Sequence, residues 1–260
     1  MSDVFQLNLG PLRSAMSLTL HTHHAARVWH GRPAREGKNG IIGLSGFVAQ
    51  MNKIKRMAEQ DDPYADHWMI QIQEKLESSK SELEVIKARL DQSMSGLPVA
   101  LHVGENVNVH PVTLPVFINS PFGFLAAYLL IAYDDIVRRL LLAHHTALMG
   151  RRDMELWINA GGKVLRSLFG LAQRYKVSGV TRDDFITNNA LAREAREKFG
   201  ELPADVLEGT RRSEYAPPIL LRRLRDEAGS DRIDDDVIDL VAGGDDAGAS
   251  TSGGERYGSF

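Results

Sequence analysis

The longest apolar run in the chain extends from Phe122 to Tyr133, where no charged residue interrupts FGFLAAYLLIAY. A helix with such a run is buried on most of its circumference, and the run is shorter than the roughly 20 apolar residues of a membrane span. Asp134 and Asp135 then precede Arg138 and Arg139 by four positions, the favourable order for ion pairs on one helix. After a Gly150-Arg151-Arg152 turn, Met154, Trp157, Ile158, Val164, Leu165, Leu168, Leu171 and Tyr175 recur at helical spacing, with Gly161 open to close packing. Residues 112–119 (VTLPVFIN) read as an extended lead into this pair of helices.

Upstream the pattern changes period twice. Residues 16–22 (MSLTLHT) alternate, with Met16, Leu18 and Leu20 on one side and Ser17, Thr19 and His21 on the other, which predicts a half-buried strand. HHAARVWHGR follows as a short helix, then the polar loop GRPAREGKNG, then a helix over 44–59 carrying Phe47, Val48, Met51 and Ile54. Met69, Ile72, Leu76, Ser79, Leu83, Ile86 and Leu90 are spaced three and four apart in turn, a narrow heptad seam. Two readings of the seam stay open: a helical hairpin over 44–94 inside the chain, or an intermolecular coiled coil. Residues 99–110 suggest a small β-hairpin around Gly104. Thr181 followed by Asp184 marks a helix start, running to Phe199 before Gly200. Pro217-Pro218 closes a body of residues 1–218, and the Gly, Ser and Asp bias beyond it predicts a largely disordered acidic tail over 219–260. The fold class expected is mainly α with a minor β component.

Charge sharpens this division. Residues 226–260 hold ten acidic residues against Arg232 and Arg256, so positions 1–225 keep 29 basic and 24 acidic residues. A mildly basic body permits contact with nucleic acid. The chain has no cysteine, which removes disulfides, Cys-ligated zinc and thiol chemistry together. No basic-then-apolar leader opens the sequence, so a cytoplasmic protein without membrane insertion is expected.

Candidate chemistry is sparse. His21, His23, His24 and His30 are the one cluster with metal-ligand character, but no further ligand follows at a diagnostic spacing, so no metal is expected. Asp134 and His145 share a helix face yet stand about 16 Å apart at ~1.5 Å per residue, too far to act as a pair. Gly161-Gly162-Lys163 lacks the glycine that a phosphate-binding loop requires, and Gly40, Gly43 and Gly46 miss the dinucleotide spacing. The expectation is a non-enzyme with no cofactor and no evident small-molecule substrate.

Five stretches together resemble a known family: GPLRSAMSLTLHTHHAARVWHGR, GIIGLSGF, DDPYADHW, VTLPVFINSPFGFLAAYLL and GVTRDDFITNNALAREAREKFGELPADVL. They are similar to the AcaB-like family of integrating conjugative element proteins, over roughly residues 9–218. The resemblance implies a transcriptional regulator of transfer genes on an elaborated ribbon-helix-helix fold, with double-stranded DNA as partner and a homodimer as the working form. The alternative is a non-enzymatic helical scaffold or accessory protein of the conjugative transfer apparatus.

A ribbon-helix-helix protein dimerises through one strand per protomer and lays the two-stranded ribbon in the major groove, so its strand must turn polar residues outward. Two stretches qualify. Residues 106–113, within a candidate DNA-binding core of 106–176, present Asn106, Asn108, His110 and Thr113. Residues 16–22 present Ser17, Thr19 and His21 as the alternative strand. Arg151 and Arg152, at the start of a helix, would hold a phosphate together with its free N–H groups.

Overall fold

The computed structural model describes residues 16–35, 37, 39–95 and 104–220. Strand β1 (Met16–Leu20) leads into α1 (His23–His30). Thr22 caps α1, its Oγ1 accepting from the Ala25 amide at 3.2 Å. The polar loop that follows is closed at its base by β2 (Gly31–Arg32) and β3 (Ile41–Ile42), which pair antiparallel. Gly31 has φ +77, and a Cβ there would lie 2.4 Å from the Ile41 carbonyl oxygen, so only glycine fits.

Helix α2 (Leu44–Glu59) turns through Gln60-Asp61-Asp62 into the 32-residue α3 (Pro63–Met94). Asp62 is its N-cap and Pro63 its first residue, as the preset φ of proline favours. The heptad seam faces inward: Met69, Ile72, Leu76, Ser79, Leu83 and Leu90 are buried, and α3 packs on α2, α4 (Pro121–His145) and α5 (Arg151–Gln173) of the same chain. The apolar run of α4 lies in the centre of this bundle, with Tyr133 its largest fully buried side chain. At Gly161 of α5 an added Cβ would meet the Tyr133 ring at 2.9 Å, so the glycine sets how closely the two helices approach. Phe47 of α2 and Phe169 of α5 stack with ring centroids 5.2 Å apart.

Strand β4 (Val112–Val116) precedes α4 and pairs antiparallel with β1, with Leu18 opposite Leu114 and Thr19 opposite Thr113. The segment after α5 adds three short helices, α6 (Arg182–Ile186), α7 (Ala190–Phe199) and α8 (Ala204–Leu207). The single helix expected from Thr181 to Phe199 is broken, because Asn188 turns to φ +47 and Asn189 caps a new helix. Thr181 and Asp184 do form the expected capping box. Arg182, 3% exposed, fastens this segment to the α2–α3 turn. Its guanidinium donates to Asp61 and Asp66 and to the carbonyls of Val206 and Leu207, and Arg212 makes a second, bidentate pair with Asp66.

Residues 16–219 lie in one compact unit. Most of the tail at 219–260 and one strand of the expected 99–110 hairpin lie outside the described residues. The other strand of that hairpin is not formed among the described residues, where 104–111 are not assigned to a strand. No helix among the described residues is long and apolar enough to cross a membrane.

Candidate nucleic-acid interface

Of the two stretches considered as alternatives, residues 16–20 form β1, and its partner β4 overlaps residues 106–113 only at Val112 and Thr113. Leu18 and Leu20 of β1 are buried along with Val116 of β4, and alternation turns Ser17, Thr19, Thr113 and Pro115 outward. Thr19 Oγ1 and Thr113 Oγ1 lie 3.3 Å apart in the middle of this outer face. Phe117, just past β4, continues the alternation and is 84% exposed. Each strand leads into two helices: β1 into α1 and α2, and β4 into α4 and α5.

One residue joins the two halves. Asp134 of α4 is buried, and its carboxylate accepts from the His21 amide at 3.0 Å and from the Thr22 amide at 2.9 Å. It also accepts from the Thr22 hydroxyl at 2.7 Å. The sequence pattern assigned Asp134 to an arginine, and the structure corrects this. Asp135 pairs with Arg138 at 2.9 Å, Arg139 reaches across to Asp91 of α3, and Asp134 fixes the β1–α1 junction. No local motif shows this role, because its partners are 112 and 113 positions away.

The expected strand over 106–113 needs a correction of register. The strand begins at Val112, so of its four candidates only Thr113 lies on the ribbon. Asn106, Asn108 and His110 lie in the segment before it. Asn106 donates to the Arg138 carbonyl at 3.1 Å. Asn108 donates through Nδ2 to the His21 carbonyl at 3.0 Å, and its Oδ1 accepts from the His110 amide at 2.9 Å. These amides hold backbone instead of alternating in a ladder, and Pro111 has no N–H to extend β4 backwards. His21, expected on the outer face of the strand, lies beyond the end of β1, and its Nδ1 accepts from the Asn108 amide at 3.2 Å.

Arg151 and Arg152 are exposed at the start of α5, whose N-cap Gly150 makes no side-chain cap bond. Arg151 pairs with Glu155 at 2.8 Å, which raises its pKa further. No hydrogen bond or ion pair joins either arginine to the ribbon among the described residues. They follow the far end of α4, beyond His145, about 16 Å along the helix from Asp134. Among the described residues no group of three or more His, Cys, Asp and Glu side chains could hold a metal ion.

The class of protein comes from a family match, which makes the chain a member of a family of transcriptional regulators. It belongs to the family described as Transcriptional regulator AcaB, whose model matches residues 8–220. Among solved structures it is similar to "Crystal structure of selenomethionine-containing AcaB from uropathogenic E. coli" at 18% identity and a TM-score of 0.47, covering 76% of this chain and 98% of that one. No curated protein matches it.

Proposed function

We propose that the protein is a DNA-binding regulator of the transfer genes of an integrating conjugative element, and that it reads duplex DNA with the β1–β4 ribbon as an elaborated ribbon-helix-helix unit. The observation that carries this reading is the outer face of the ribbon: Ser17, Thr19 and Thr113 stand together on a two-stranded antiparallel sheet, each strand followed by two helices. The major groove is wide enough for such a ribbon, and Ser and Thr hydroxyls serve as donor or acceptor to base edges. Both strands come from one chain, so one chain builds a complete ribbon, and a homodimer would set two of them on successive half-sites. Arg151, Arg152 and the uncapped N–H groups of α5 would grip a flanking phosphate. Asn106, Asn108 and His110 then support the ribbon's end and do not read bases.

The test is fluorescence anisotropy with promoter fragments of the host element and a scrambled duplex. Thr19→Ala with Thr113→Ala should lower the preference for the cognate fragment by about tenfold or more, roughly 1.4 kcal/mol, and leave binding to the scrambled duplex intact. If the wild type retains no fragment even at low salt, where electrostatic binding is strongest, the DNA-binding reading is lost and the accessory-scaffold reading replaces it.

A further inference from the structure

A second concave site lies between α1, the β2–β3 hairpin and α5, with Tyr133 of α4 among its lining. Its cavity is about 430 Å³, within the size range of small-molecule sites. Arg27 and His24 come from α1, Arg32 and Arg35 from the hairpin and its loop, and Arg166 from α5. No carboxylate stands among the described lining residues. Arg27, Arg32 and Arg166 form no salt bridge among the described residues, in contrast to Arg138, Arg139, Arg182 and Arg212 elsewhere in the bundle. Arg32 donates to the Asn39 carbonyl at 3.1 Å and Arg166 to that of Asn159 at 3.4 Å, which orients both guanidiniums and leaves donors free.

The site is held in shape by contacts the sequence must supply. A Cβ at Gly162 would lie 2.7 Å from Arg166 Nη1 and 2.9 Å from the Tyr133 hydroxyl, so glycine there makes room for both groups. Gln173 of α5 accepts from the Ile42 amide at 3.2 Å and donates to the Gly40 carbonyl at 3.1 Å, pinning the hairpin that forms one wall. Pro33, Ile41 and Ile42 give that wall an apolar strip, which Val28 of α1 extends. Burial first, and then the neighbouring charges of His23 and Arg27, hold the His24 imidazole below its ordinary pKa.

Four guanidiniums with no carboxylate among the described lining residues suit an anion of several charges, and their forked donors match phosphate oxygens two at a time. We infer that this cavity binds a small molecule bearing a diphosphate, with the guanidiniums of Arg27, Arg32, Arg35 and Arg166 on the phosphates and the apolar strip against any nucleoside portion. The inference does not depend on the ribbon binding DNA.

The experiment is calorimetric titration and thermal unfolding of the full chain with sodium pyrophosphate and, separately, ADP, against sodium chloride of matched ionic strength. Saturable binding with a rise in Tm is expected for at least one of the two. Arg166→Gln and Arg27→Gln should each weaken it by about tenfold or more, while Arg89→Gln, exposed on α3 and outside the cavity, leaves it unchanged. Tighter binding of ADP identifies a nucleotide as the source, and equal affinity identifies a ligand recognised through its diphosphate alone. If Arg166→Gln fails to fold by circular dichroism, Arg32→Gln serves, since its side chain is exposed. No saturable binding, or an equal loss in Arg89→Gln, overturns the proposal. So does a result in which the cavity variants weaken duplex DNA and spare pyrophosphate, which would make the cavity part of a DNA contact.

Discussion

Asp62 caps α3, accepting from the Tyr64 amide at 2.8 Å and the Ala65 amide at 3.2 Å, and it also accepts from the Ser178 hydroxyl at 2.7 Å. Those bonds favour the carboxylate, yet burial outweighs them and pushes its pKa up to about 6. The folded protein therefore binds this proton more tightly than the unfolded chain does. The sign follows: stability from this group is full below about pH 4 and is lost as pH rises through 6, by up to about 3 kcal/mol. Asn keeps the cap, so Asp62→Asn should match wild type near pH 4 and exceed it by about 2 kcal/mol at pH 7. Urea unfolding from pH 4 to 7 reads this out, and a variant with the wild-type slope would show that the carboxyl is not the cause. Asp134 makes the opposite case, since its three bonds serve the β1–α1 junction. Asp134→Ala leaves two amides and a hydroxyl without an acceptor and should cost about 2–4 kcal/mol in the same assay. A loss under half a kcal/mol would mean that water replaces the carboxylate.

At the scale of elements, period and punctuation were legible because they are local. The helix at 44–59, the seam of α3 and the capping box at Thr181 follow from spacing and from short-range capping chemistry. What covers a seam is not local. Leu83 is 2% exposed because α4 and α5 lie over it, and nothing in the heptad itself distinguishes those helices from a second chain. Leu83→Lys should therefore unfold the protein instead of releasing folded monomers, since a buried unpaired charge has no compensation. Circular dichroism with light scattering separates the outcomes, and a folded variant of reduced mass would place the seam between chains. The strand of 106–113 failed for a related reason: Val107 and Val109 alternate with polar residues as a strand would, but among the described residues no partner strand lies beside them and both are exposed. Alternation shows that a segment suits a sheet, and pairing decides whether it joins one.

At the scale of the molecule, the ribbon unites residues about a hundred positions apart, Thr19 with Thr113 and Leu20 with Val112. That separation is why the candidate site was only half legible: each strand was visible alone, and their mutual register is a tertiary fact. It also gives the DNA-binding reading a consequence that a ribbon shared between chains would not have. A two-chain ribbon disassembles on dilution, so binding to a single half-site rises with the square of protein concentration below the dimer threshold. A ribbon completed within one chain binds a half-site in simple proportion to concentration, at any dilution. Titration of a labelled half-site duplex at nanomolar protein should thus fit one chain per half-site. Log affinity should fall linearly with log salt at about −0.9 per phosphate contacted. Arg151→Ala with Arg152→Ala should weaken every duplex alike and make that slope shallower by about 1 to 2 units. A quadratic dependence would mean that the outer face of one ribbon is not enough and that a second copy completes the reading surface. A slope untouched by the double substitution would remove the start of α5 from the interface and leave the ribbon as the whole of it.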